Sequence, residues 1–97
     1  MQIKVITKRP GKPARRVNIS NTLESLQKYV GGYIETMTLG EYCTIICDEE
    51  GRLKGKPYNC TICGVDFVGD IIIAGFREGY FTDLSISFEQ DKRLFNW

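Results

Sequence analysis

The segment Leu26-Gln-Lys-Tyr-Val-Gly-Gly-Tyr-Ile-Glu35 constrains this chain more than any other. Leu23, Leu26, Gln27 and Val30 follow helical spacing, so a short amphipathic helix leads into the double glycine. Gly31 or Gly32 then closes that helix in the left-handed conformation, which glycine adopts without a Cβ penalty. Tyr33-Ile-Glu-Thr-Met-Thr-Leu39 alternates at once as a strand, with no linker between the two elements. A helix joined this closely to a strand is the hinge of an α+β domain. Ser20 or Asn21 is the expected helix cap, with Glu24 three residues after Asn21 completing a near capping box.

The remaining pattern fits one domain over residues 1–97. Ile3, Val5 and Thr7 form a first strand, and Arg15, Val17 and Ile19 a second, joined as a hairpin by the turn-rich Lys8-Arg-Pro-Gly-Lys-Pro-Ala14. Tyr42-Cys-Thr-Ile-Ile-Cys-Asp48 is an apolar, central strand that ends in the Glu49-Glu-Gly-Arg52 turn. Leu53 to Asn59 has no regular pattern, and Cys60-Thr-Ile-Cys-Gly64 reads as a helical turn or a loop. Gly69-Asp-Ile-Ile-Ile-Ala-Gly75 is a buried strand, with one more edge strand between Phe76 and Asp83. For the tail, alternation at Leu84, Ile86 and Phe88 suits a strand, whereas Ser87 with Gln90 suits a capping box; we favour a carboxy-terminal helix at about 86–95. The fold class expected is therefore α+β: an antiparallel or mixed sheet of about five strands, with one short helix at about 22–30 and the carboxy-terminal helix. Leu23, Leu26, Val30, Ile34, Ile45, Ile71, Ile73 and Phe88 are the expected core. Such a sheet leaves part of a face or edge open, which is compatible with a homodimer.

Charge is distributed unevenly. Six of the thirteen basic residues (Lys4, Lys8, Arg9, Lys12, Arg15 and Arg16) fall in the first sixteen positions, and the first acid is Glu24. The net charge is nevertheless only +1, so a basic arm sits on a mildly acidic body. The arm suits phosphates or an acidic protein surface; it also suits a solvated hairpin loop. It has no aromatic residue to stack on bases. No apolar run is long enough to span a bilayer and Met1-Gln-Ile-Lys-Val-Ile6 does not resemble a secretion signal, so the expected location is cytoplasmic.

Catalytic chemistry has little to work with. The chain has no histidine, the commonest general base and metal ligand. Asp48, Glu49 and Glu50 cluster at a turn tip, where carboxylates are solvated. Cys60-X-X-Cys63 has the spacing of half a zinc site or of a redox pair. Cys43 and Cys47 are poor candidates for the other half, because strand positions four apart lie about 13 Å from one another. Gly64-Val-Asp-Phe-Val-Gly69 is poor material for the long helix that follows a redox pair. Gly31-Gly32 follows a helix, whereas phosphate-binding glycines precede one. We expect no enzyme and no cofactor.

Leu26-Gln27, Val30-Gly-Gly32 and Ile34-Glu35, then Cys47-Asp-Glu-Glu-Gly-Arg-Leu53, Pro57-Tyr-Asn59 and Asp70-Ile-Ile-Ile-Ala-Gly75, together resemble a family of small uncharacterised proteins of phages and Firmicutes mobile elements. The resemblance runs from about residue 2 to 95, and Asn59-Cys-Thr-Ile-Cys63 departs from the polar stretch usual there. It implies a fold and a genomic setting, and no site. The leading expectation is a non-catalytic binding module that occupies a host protein or sequesters a small ligand. The alternatives are a nucleic-acid accessory protein using the basic loop 8–16, and a metal or redox protein using Cys60 and Cys63. A ligand site is expected where the basic hairpin meets the loop from Leu53 to Cys63, drawing on Lys12, Arg15, Arg16, Lys56, Tyr58 and Asn59.

Overall fold

A computed structural model describes residues 1–39 and 43–85. The expected carboxy-terminal helix at 86–95 and the core position Phe88 lie outside these residues. The elements are β1 (Gln2–Lys8), β2 (Arg15–Ser20), α1 (Leu23–Val30), β3 (Ile34–Leu39), β4 (Cys43–Asp48), β5 (Tyr58–Ile62), β6 (Val65–Val68), β7 (Ile71–Arg77) and β8 (Tyr80–Thr82). The structure is consistent with the α+β class, but the expected sheet of about five strands is, among the described residues, a sheet of six with a separate two-stranded hairpin.

The main sheet runs β2-β1-β7-β4-β3, and every neighbouring pair is antiparallel. β7 is its middle strand; Ile71–Ala74 are all buried, as expected of a strand covered on both faces. Gly75 pairs with both Cys43 and Thr82, so β8 lies across β7 from β4, on the side where β1 has diverged. Asp83 fastens that junction, its carboxylate accepting a bond from the Lys4 amide at 2.7 Å.

Each sheet face has its own cover. On one face Ile3, Val5, Ile46, Ile72 and Ala74 pack against Leu26 and Val30 of α1. On the other, Ile6, Ile45, Ile71 and Ile73 pack against Cys60, Ile62 and Phe67 of the β5–β6 hairpin. The hairpin therefore closes the face that one helix would have left open. Its turn has positive φ at both Cys63 (50°) and Gly64 (78°), and Ile62 pairs with Val65 across it. That sign pattern marks a two-residue turn of the I′ kind, which matches the twist of the strands. The expected helical turn or loop at 60–64 is thus a hairpin.

α1 is capped by Thr22, whose hydroxyl accepts a bond from the Ser25 amide at 3.1 Å. The expected cap Asn21 is used otherwise: its side-chain amide donates to the Phe81 carbonyl. Leu23 is the first helical residue and is 57% exposed, so it does not join the core; Leu26 and Val30, one turn apart, do. Gly31 closes the helix at φ 82°, and the Gly32 amide reaches back to the Gln27 carbonyl.

Candidate functional site

Strand alternation decides where the basic arm goes. Thr7 and Arg15 pair across β1 and β2, on the α1 side of the sheet with Val5 and Val17; Lys8 and Arg16 fall on the hairpin side with Ile6. The run is thereby divided between two faces.

On the hairpin side Lys8 is buried, and its ammonium donates to the Asn59 Oδ1 at 3.1 Å. The Asn59 amide donates in turn to the carbonyls of Lys8 (2.8 Å) and Gly69 (2.7 Å). Asn59 is 7% exposed, so these bonds satisfy its side chain and staple β5 to the sheet. Its neighbour Tyr58 is exposed and bonded to the Thr61 hydroxyl, which donates to Asp66.

On the α1 side the arm forms a cleft of about 720 Å³ lined by Thr7, Arg9, Lys12, Pro13, Arg15, Val17 and Tyr29. The Arg9 guanidinium lies 5.3 Å from the centre of the Tyr29 ring and 3.9 Å from Asp70. Tyr29 and then Asp70 favour its charged form. Among the described residues Lys12 and Arg15 have no ion-pair partner. Arg9 and Lys12 also border a second depression of about 380 Å³, with Pro10, Lys56, Pro57, Gly69 and Asp70. The basic hairpin does meet the segment after Leu53, but the predicted residues divide: Lys12 and Arg15 share the larger cleft, Lys12 and Lys56 the smaller one, and Arg16, Tyr58 and Asn59 line neither.

Lys56 is occupied elsewhere. Its ammonium sits 2.7 Å from Asp48 Oδ2 and donates to the Val30 carbonyl at 2.6 Å. Lys54 repeats the arrangement, 2.8 Å from the same oxygen and 3.0 Å from the Gly31 carbonyl. Two cations thus cap the carboxyl end of α1, where bare carbonyls carry the negative end of the helix dipole. Asp48, its side chain 1% exposed, holds both. Burial pushes the Asp48 pKa up, but the bonds from Lys54, Lys56 and the Glu50 amide outweigh it and hold the carboxyl well below the usual range. The expectation of a solvated turn-tip carboxylate is corrected here. Gly32 is required by the same knot, since a Cβ there would lie 2.7 Å from Asp48 Oδ1 and from Lys54 Nζ.

A third depression, about 290 Å³, lies between β3–β4 and β6 and includes Glu35, Cys47, Glu49, Arg52 and Asp66. Burial, then Glu35 and Asp48, push the Cys47 thiol up to about 11, so it is a neutral thiol near pH 7. Burial also raises Cys60, which sits in the core under the sheet, whereas Cys63 is exposed in its turn. Among the described residues no three His, Cys, Asp or Glu side chains are grouped as metal ligands.

Sequence reasoning omitted Arg9, Thr7 and Tyr29 from the site. Arg9 and Thr7 were recoverable, because they continue the alternation of Ile3 and Val5 toward the helix; Tyr29 required knowing which helix face meets β1 and β2.

No helix among the described residues is long and apolar enough to cross a membrane. No curated protein and no solved structure matches the chain. A family model does match, over residues 3–95: the chain belongs to the family described as a domain of unknown function, DUF3846.

Proposed function

We propose that this member of the family is a non-catalytic binding module whose recognition surface is the basic cleft between the β1–β2 loop and α1. The phage or mobile-element setting implied by the resemblance belongs to the same reading, with a host protein or small ligand as the partner. One observation carries it: Lys12 and Arg15 stand without ion-pair partners among the described residues, in a concavity that Arg9 completes. Three other cations, Lys8, Lys54 and Lys56, are bonded within the fold. Charged groups held in a concave surface and left unneutralised attract a ligand of opposite charge.

The nucleic-acid reading is weaker on geometry. A polymer is tracked by a continuous basic stripe, and alternation places Arg15 and Arg16 on opposite faces. The thiol readings are weaker too, since Cys60 and Cys63 occupy a core and a turn.

The test is fluorescence anisotropy at low salt with two labelled probes, a polyglutamate peptide and a single-stranded oligonucleotide, on wild type and on the Lys12→Glu, Arg15→Glu double variant. Binding of the peptide, with or without the oligonucleotide, that the double variant loses is the expected result; binding of the oligonucleotide alone would favour the nucleic-acid reading. Binding that survives the double reversal, or nucleotide turnover that Cys60→Ser abolishes, would end the reading.

A further inference from the structure

The cleft offers more than charge. Its lining includes Pro13, Val17 and the Tyr29 ring, which form apolar wall beside the three cations. Thr7 also lines it and is 7% exposed, yet among the described residues its hydroxyl has no hydrogen-bond partner. A buried hydroxyl that lines an open cleft can donate to an acceptor bound there. Among the described residues no acid lines the cleft, and Asp70 pairs with Arg9 alone, from 3.9 Å. Three positive charges with one offset leave about two, which matches the −1.5 to −2 of a phosphate monoester near neutral pH better than the single charge of a carboxylate. A volume of about 720 Å³ lies within the range of small-ligand clefts.

We infer that the cleft binds a phosphate monoester carrying a compact organic body of mononucleotide size. The phosphate sits between Lys12 and Arg15, with the Thr7 hydroxyl as a further donor. The body lies on Pro13 and Val17. Arg9, held against Tyr29, borders the phosphate from the third side. Arginine forks and the lysine point charge are the usual partners of phosphate oxygens. The inference rests on the reading of the cleft as an anion-binding surface and adds the class of ligand.

Isothermal titration calorimetry at low salt separates the two claims, using adenosine 5′-monophosphate, inorganic phosphate, adenosine and a polyglutamate peptide as probes. The monophosphate is expected to bind at least about tenfold more tightly than phosphate or adenosine alone, and to lose about tenfold or more in Lys12→Glu, Arg15→Glu. Both positions are exposed, and an unchanged melting temperature confirms that the variant folds. Pro13→Gly should weaken the monophosphate and leave inorganic phosphate as it was. Equal affinity for phosphate and monophosphate would overturn the organic body and leave anion capture standing. Binding of polyglutamate alone, lost in the double variant, would overturn the phosphate ligand and leave the surface. Failure of every probe would remove both claims.

Discussion

The carboxyl end of α1 and the cleft beside it both gather cations around short loops, and they use them in opposite ways. At the helix end Lys54 and Lys56 close on one buried carboxylate and on the last carbonyls of the helix, so their charge is spent within the fold. In the cleft Lys12 and Arg15 close on nothing among the described residues. The difference lies in the acid. Asp48 is buried and committed, whereas Asp70 is partly exposed and among the described residues reaches only Arg9, at 3.9 Å. A lysine-rich loop is therefore evidence of a partner only after internal acids and helix ends have been counted.

The comparison is most open to attack at Asp48. Asp48→Ala leaves two partly exposed ammoniums without their carboxylate and should destabilise the domain by about 2–3 kcal/mol in urea unfolding; a loss under about 1 kcal/mol would mean that the knot is not structural. Its pH dependence has a definite sign. The folded pKa is depressed, so the contribution is fully present above the unfolded pKa of about 3.9 and is lost as pH falls through the folded value. Wild type should lose its advantage over Asp48→Asn on acidification below about pH 4 and keep it constant above about pH 5. A constant difference across that range would show that Asp48 titrates normally.

Gly32→Ala drives a methyl group into the same knot and should cost about 1–3 kcal/mol, measurable as a fall in melting temperature. Cys63→Gly relieves a non-glycine residue at φ 50° in the β5–β6 turn. It should stabilise on the order of 0.5–1 kcal/mol, once glycine's own entropy cost is counted, and leave ligand binding unchanged. At the other extreme, Lys12→Ala with Arg15→Ala should leave stability within about 0.5 kcal/mol while removing anion binding. A large loss of stability there would erase the distinction between the two regions.

Much of the fold was legible because local signals agreed with one another. The Gly31 cap, the β1–β2 hairpin and the apolar runs of β4 and β7 each stand where period and turn residues place them. The β5–β6 hairpin was hidden by its irregularity. The register shifts between Tyr58 and Cys60, so Asn59 and Cys60 are both buried and the period of two is broken. Its turn also places cysteine where asparagine is the usual signal. The buried state of Asp48 could not be read locally, because the lysines that hold it come from the following loop and the helix end they cap is distant in sequence. For the cleft, the charge run pointed to Lys12 and Arg15, which the structure brings together, whereas it places Lys56 and Asn59 in other bonds. Their bonds serve the helix end and the hairpin, and sequence shows a cation or an amide without showing what it is bonded to.

The central claim is that unpaired charge gathered in a concavity marks the binding surface and committed charge marks the scaffold. An amide-detected NMR titration of isotope-labelled protein with adenosine 5′-monophosphate tests it most directly. The account predicts saturable shifts confined to the cleft, at Thr7, Arg9, Lys12, Arg15, Val17 and Tyr29, with Lys54, Lys56 and Asp48 unmoved. Shifts centred on the helix-end knot, or none at saturating probe, would contradict it.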